Sequence, residues 1–236
     1  MNESITIIPL SKLIIVFLPT SIMIIILYKL SLEWKSYLYA VGRMLIQLML
    51  IGYFLSHIFL SNDYMIIMFI LFLMISTASW IALGTVFEER QKLFLTAFIS
   101  ILIGGGIPLF LVTRFVLQLE PWYLPRYVIP LAGMIFASSM NGISLAAERL
   151  RSELKKNVYY KDATNIALKT ALIPITNSLF AVGLVSIPVM MTGQILSGIS
   201  PVIAVRYQIM VMCMVFSAVG ISSYIFLLMD KPKKSF

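Results

Sequence analysis

ALIPITNSLFAVGLVSIPVMMTGQILSGISPVIAVRYQ, residues 171–208, decides how this chain is read. From Ala171 to Ser197 it runs 27 residues without a charged side chain, yet it contains Pro174, Asn177, Gly183, Pro188, Gly193 and Gln194. About 20 helical residues cross a bilayer core, so the run is too long for one span and too interrupted for a simple one. Irregular backbone at membrane depth persists only where protein buries it or where it lines a cavity. Two readings fit. In one, a helix ends near Pro188 and a short segment, Val189 to Leu196, dips back or bends along a translocation path. In the other, an ordinary helix with a proline kink is followed by an apolar surface loop.

Working outward, composition bounds the rest of the chain. With 60% hydrophobic and only 12% charged residues among 236, and a mean hydropathy of +0.97, it is not an ordinary soluble globular domain. The expectation is an all-α, polytopic membrane protein forming a single transmembrane domain over residues 1–236. No basic segment precedes the first apolar run, Leu13 to Leu30, and no small-residue cleavage site follows it, so a retained span is expected rather than a signal peptide. One cysteine, Cys213, excludes an intrachain disulfide and a cysteine-based metal cluster, and is expected to be a small packing residue.

Seven spans fit the apolar windows, at about 13–30, 36–60, 64–84, 93–118, 127–148, 167–188 and 202–229. The net charge of +8 is then distributed by side, which makes nucleic acid an unneeded explanation for it. Lys29, Lys35, Arg43, Arg90, Lys92, Arg149, Arg151, Lys155, Lys156, Lys161, Lys169, Lys231, Lys233 and Lys234 fall on one side, fourteen in all, against Lys12, Arg114, Arg126 and Arg206 on the other. Basic residues mark the cytoplasmic side, so the N-terminus is expected outside and the C-terminus in the cytoplasm. Trp122 and Tyr123 in the outer loop, and Trp34 at the inner face, suit an interfacial aromatic belt.

Inside the spans, uncharged polar and thioether residues are the candidate substrate path: Gln47, Met134, Ser138, Asn141, Asn177, Met190, Met191 and Gln194. Gln47 lies one helical turn from Arg43, which either lines a pore mouth or snorkels to the interface. Gly104, Gly105, Gly106 and Pro108 are expected to kink or interrupt the fourth span. In the fifth, Gly133, Ala137 and Asn141 form one small-residue stripe, with Ser138, Gly142 and Ala146 beside it, spacing that lets helices approach closely. Its polar members serve either as solute contacts or as interhelical glue.

Between the fifth and sixth spans, ERLRSELKKNVYYKDAT is the only sizeable polar segment. The fifth helix is expected to continue to Lys156, with Asn157 taking a left-handed turn and Asp162 capping the next helix. This elbow, about residues 148–166, either docks a soluble partner through Glu148, Arg149, Arg151, Tyr159, Tyr160 and Asp162 or is a solvated loop. Ser200 and Pro201 are well placed to start the last helix.

The ten acidic residues, from Glu3 to Asp230, all fall in loops or at span ends. Proton-coupled carriers use intramembrane Asp, Glu or His relays, and the only histidine, His57, sits near the outer end of the second span. Neither a proton-driven carrier nor an intramembrane hydrolase is therefore expected, the GxSxG and HExxH patterns also being missing. A phosphate-binding loop of the GxxxxGK[ST] type is likewise absent, so uphill movement would draw on another chain for energy.

VGRMLIQLMLIGY (Val41–Tyr53), VIPLAGMIFASSMNGISLA (Val128–Ala146), and ALIPITNS with VGLVSIPVMMTGQILSGISPVIAVRYQ up to Gln208 occur in that order. On these three motifs the chain resembles the FetB-type permease family, associated with bacterial iron export and with plant aluminium tolerance. The resemblance implies the membrane half of an ABC transporter: a permease homodimer, no cofactor of its own, and ATP bound by a separate ATP-binding cassette subunit. It also implies export of iron, whereas a bare hard ion wants oxygen or imidazole ligands and the spans offer only Met, Asn, Gln, Ser, Thr and carbonyls, pointing to a chelate or a softer ion. No metal ligands are assigned. Two departures stand out: Val189 replaces an expected Gly, and Ala137 and Ser138 replace an expected Gly-Asn pair. The rival reading is a non-transporting membrane anchor or regulator of a soluble partner.

Overall fold

A computed structural model describes residues 9–58 and 63–231. Glu3, Lys233 and Lys234, which entered the charge census, lie outside the described residues. The chain divides between residues 61 and 62 into two compact units.

The smaller unit is a helical hairpin of α1 (Leu10–Lys29) and α2 (Trp34–Ile58). Its turn takes Ser31 through a positive φ of 55°, and Tyr28 meets Trp34 edge-on across it, ring centroids 5.6 Å apart.

The larger unit contains α3 (Tyr64–Ala82), α4 (Arg90–Leu111), α5 (Pro125–Lys155), α6 (Tyr160–Ala181), α7 (Val189–Leu196) and α8 (Pro201–Met229). Asp63 caps α3, its carboxylate accepting from the Met65 amide at 2.8 Å. A 3-10 segment, Leu83–Glu89, joins α3 to α4, and non-helical Val86 breaks it. Arg90 closes this corner by donating through Nε to the Trp80 carbonyl at 2.9 Å while its guanidinium lies 4.0 Å from the Trp80 ring centre. Among the described residues there is no strand, only an isolated bridge between Val182 and Ser186.

Among the described residues five stretches are long and apolar enough to cross a bilayer: Ser11–Lys29, Trp34–Phe54, Tyr64–Val116, Pro125–Lys155 and Pro201–Met229. The third, at 53 residues, would extend about 80 Å if straight. It is instead folded back at the 3-10 corner into α3 and α4. Six of the seven expected spans are thus present as α1, α2, α3, α4, α5 and α8, whereas α6 (Tyr160–Ala181), which stands where the span at 167–188 was expected, is not among these stretches. The chain is an all-α, multi-pass membrane protein.

In a membrane, helix association depends on close packing rather than on the hydrophobic effect, and the core of the larger unit is built accordingly. Ala97, Ala132, Ala146 and Ala218 are fully buried among Ile101, Ile135, Ile143 and Phe226. Ser222 on α8 donates to Ser139 on α5 at 3.2 Å. The glycine run does not interrupt the fourth span: α4 continues through Gly104, Gly105, Gly106 and Pro108. A Cβ on Gly104 would lie 2.7 Å from the Cα of Ser222, and one on Gly105 would lie 2.9 Å from Ile135 Cγ2. These two glycines admit α8 and α5, while the irregular backbone comes later, as a π-helical turn at Val112–Val116. On α5, Gly142 does the same work, a Cβ there meeting Ser223 Oγ at 2.8 Å.

Two sets of contacts support the alternation of sides within this unit. Tyr64, Phe110, Trp122 and Tyr123 gather at one end, with Tyr64–Tyr123 and Phe110–Trp122 ring centroids 5.2 and 5.4 Å apart. Glu89, Arg151 and Asp230 meet at the other. The positive-inside assignment makes the first end outer and the second cytoplasmic.

Candidate functional site

The interrupted stretch breaks earlier than the sequence led us to expect. Helix α6 ends at Ala181 rather than near Pro188, because Val182 turns extended (ψ 129°) and Gly183 adopts φ +84°. Pro174, by contrast, is accommodated inside α6. Within the turn the backbone satisfies itself: Val185 and Ser186 donate to the Ala181 carbonyl at 2.8 and 3.2 Å, and Gly183 donates to Ser186 at 3.0 Å. Such internal pairing is what irregular backbone requires away from water.

The short segment starts where expected, with Pro188 at the cap and helix from Val189 to Leu196. Eight residues span only about 12 Å, so α7 cannot cross the membrane. Gly198 (φ +89°) closes it, and Ile199 donates to Gln194 at 3.0 Å, the bond that satisfies a terminal carbonyl in a glycine-ended helix. Ser200 then occupies the cap position of α8 without a side-chain cap bond, and Pro201 fills its first turn.

This geometry sorts the candidate path residues. Met134, Met190 and Gln194 share a hollow of about 470 Å³ between α5, α7 and the start of α8, together with Arg126, Tyr127, Tyr207 and Met210. The Gln194 carbonyl oxygen is buried there without a hydrogen-bond partner. Met191 faces the other side of α7, in a hollow of about 540 Å³ with Gln208, Met212 and Cys213. Gln208 is 7% exposed and its carbonyl oxygen is also unpartnered. Ser138 and Asn141 line a smaller space of about 130 Å³ with Pro174 and Ser178 of α6. Asn177 is exposed on α6 and lines none of these three. Gln47 belongs to the smaller unit, where it is exposed on α2.

At the cytoplasmic end the elbow separates into tied and free residues. Arg151 donates through Nε and Nη2 to the two carboxylate oxygens of Glu89, both at 2.9 Å, and reaches both Asp230 oxygens at 2.9 and 2.8 Å. It thereby joins the 3-10 corner, α5 and the end of α8. Burial lowers the Arg151 pKa, but its hydrogen bonds and charge attraction to Asp230 and Glu89 outweigh this and hold it above its ordinary value. Burial also raises the Asp230 carboxyl, against the downward pull of Arg151. The Tyr160 hydroxyl donates to the Leu227 carbonyl, and burial pushes that hydroxyl's pKa up. Arg149 pairs with Glu153 at 2.9 Å. Glu148, Tyr159 and Asp162 are exposed. Asn157 takes the expected left-handed turn (φ 60°). Asp162 does not cap α6, however; it sits in the first turn behind Tyr159, which holds the cap position without a side-chain bond.

The Uncharacterised protein family (UPF0014) matches this chain over residues 10–163 and 158–233. The chain belongs to that family. Among similar UPF0014 relatives, the membrane protein slr1647 of Synechocystis is 34% identical over 78% of this chain and 79% of its own length. The Probable iron export permease protein FetB of Escherichia coli is 35% identical over 84% of this chain and 80% of its own. Protein ALUMINUM SENSITIVE 3 of Arabidopsis thaliana is 34% identical over 91% and 82%. No solved structure matches.

Two residues of this UPF0014 chain gain importance only from the fold. Arg126 figured in the sequence solely as an outer basic residue, although Arg126, Pro130 and Met134 recur every four residues and so share a helix face. Gln208 was the end of a motif, and its burial against the α7 break is a tertiary fact. Among the described residues no three His, Cys, Asp or Glu side chains converge as a metal cage.

Proposed function

We propose that the chain is the permease subunit of an ATP-binding cassette exporter for iron or another metal-related solute, acting as a homodimer with a separately encoded ATPase. The observation that carries this reading is the hollow in which Met134, Met190 and Gln194, from separated stretches of sequence, meet beside a break in the membrane helices. Irregular backbone next to a cavity is the arrangement expected of a translocation path. The resemblance to an E. coli protein described as a probable iron export permease supports the same reading.

Energy would come from the partner, since the chain carries no GxxxxGK[ST] loop and its described carboxylates lie at helix ends or in connections. The exposed part of the elbow, Glu148, Tyr159 and Asp162, is the surface offered to that partner. Arg151 and Tyr160 then carry movement of the elbow into the 3-10 corner and α8 through the contacts described above. Alternating access would open the α5–α7–α8 hollow to one side and then the other.

The test is reconstitution of the full chain with its ATP-binding cassette subunit in liposomes, followed by ATP-dependent iron movement. Gln194→Leu should abolish transport while leaving insertion and ATPase binding intact, because it removes a polar group from the path with little change of volume. ATP-independent or absent transport by the wild-type assembly, with the ATPase bound and active, would overturn the proposal.

A further inference from the structure

The same hollow constrains the form in which its ligand arrives. It runs along α5 from Arg126 at the outer end to Met134, eight residues or about 12 Å deeper. At about 470 Å³ it has room for roughly fifteen waters at ~30 Å³ each, the size of a small organic ligand's pocket rather than of a single coordinated ion.

Its electrostatics are one-sided. Arg126 lines it and makes no ion pair among the described residues. Glu120, the acid of the outer loop, is engaged by Arg114 at 3.6 Å. Among the described residues no acidic side chain, histidine or cysteine lines the hollow. A bare divalent cation entering here would meet a guanidinium with no counter-charge and no ligand set. An anion would meet an unpaired planar donor suited to a carboxylate. Deeper in, the unpartnered Gln194 carbonyl oxygen asks for a hydrogen-bond donor, because a buried acceptor left unmade carries its full desolvation cost. The methionine walls suit the apolar body between them.

We infer that the hollow takes an anionic hydroxycarboxylate complex of the metal, its free carboxylate on Arg126 and a hydroxyl or metal-bound water donating to Gln194. This names a substrate class for the site proposed above and rests on that reading for its biological sense, but its test uses binding to the chain alone. Arg126 recognises the shared chemistry of an oxyanion, which an anionic lipid headgroup could also present, so the test includes both.

The experiment measures binding of ferric citrate, and separately of ferrous ion, to the full chain in phosphatidylcholine nanodiscs. Retention of added phosphatidylglycerol is followed by native mass spectrometry. Ferric citrate should bind saturably and compete with the lipid. Its affinity should fall roughly 10- to 100-fold in Arg126→Gln, as for loss of a charge-assisted hydrogen bond, with partial recovery in Arg126→Lys. Equal affinity in wild type and Arg126→Gln would overturn the inference. So would ferrous ion binding in place of the complex, or lipid retention that depends on Arg126 and resists ferric citrate. ATP-driven iron export that proceeds unchanged in Arg126→Gln would count against this inference while leaving the permease reading standing. Lack of export with Arg126-dependent ferric citrate binding intact would count against the permease reading alone.

Discussion

Arg151→Met is the perturbation whose cost can be worked most directly from the contacts. The substitution keeps most of the side-chain volume but removes four oxygen contacts of 2.8–2.9 Å to Glu89 and Asp230. The two acids respond differently. The Glu89 side chain is 44% exposed and can return to water, so its share is that of a surface pair, about 0–1 kcal/mol. The Asp230 side chain is 8% exposed and is left as a buried carboxylate without its partner, a situation that typically costs about 3–5 kcal/mol. A loss of about 3 kcal/mol at neutral pH is expected. It should shrink in acid. Burial already raises the Asp230 carboxyl above 3.8, and removing the guanidinium raises it further. A carboxyl raised in the folded state stabilises most at low pH and loses that contribution as pH rises through its folded value. Equilibrium unfolding in mixed detergent–dodecyl sulfate micelles, followed by the fluorescence of the three tryptophans, measures both effects. Asp230→Asn in the Arg151→Met background should recover most of the loss. Additivity of the two single substitutions within about 0.5 kcal/mol, or a loss below about 1 kcal/mol, would refute the reasoning.

The glycine run offers a contrast within one helix: Gly104→Ala should destabilise by about 1–3 kcal/mol through overpacking against Ser222. Gly106→Ala, whose Cβ would find its nearest neighbour at 4.0 Å, should be neutral or stabilise by up to about 1 kcal/mol in the same unfolding assay. With Cys213 replaced by serine, Trp122→Cys should be labelled by an impermeant maleimide from outside, and Lys156→Cys only after the membrane is opened. Labelling of position 122 from the cytoplasmic side alone would overturn the assignment of sides. Met191→Leu, on the face of α7 turned away from Gln194, should retain most export in the reconstituted assembly and cost less than about 1.5 kcal/mol of stability. Loss of export equal to that of Gln194→Leu would move the path to that side of α7.

The sequence by itself determined the class of the molecule, most of its spans, the sidedness expected of them and the start of α7 at Val189. Each of these rests on a local quantity: apolar run length against bilayer thickness, the placement of basic residues, or the fixed φ of a proline before a helix. It also marked Met134, Met190 and Gln194 as unusual. What it could not decide was which of several permissive backbones a glycine or proline adopts. Gly104 and Gly105 could have broken α4; the approach of Ser222, more than a hundred residues away, makes them packing surfaces instead. Gly183 could have stayed helical, and the chain turns there six residues before α7 begins. Local propensities for these residues are nearly degenerate, so contacts between helices select among them. The same holds for charge. Arg126 and Arg151 are both basic residues near helix ends, and only tertiary structure set one over a hollow with no ion pair among the described residues and clasped the other between two acids. An ion pair across 62 or 79 positions of sequence has no local signature, because its geometry exists only once the helices have packed.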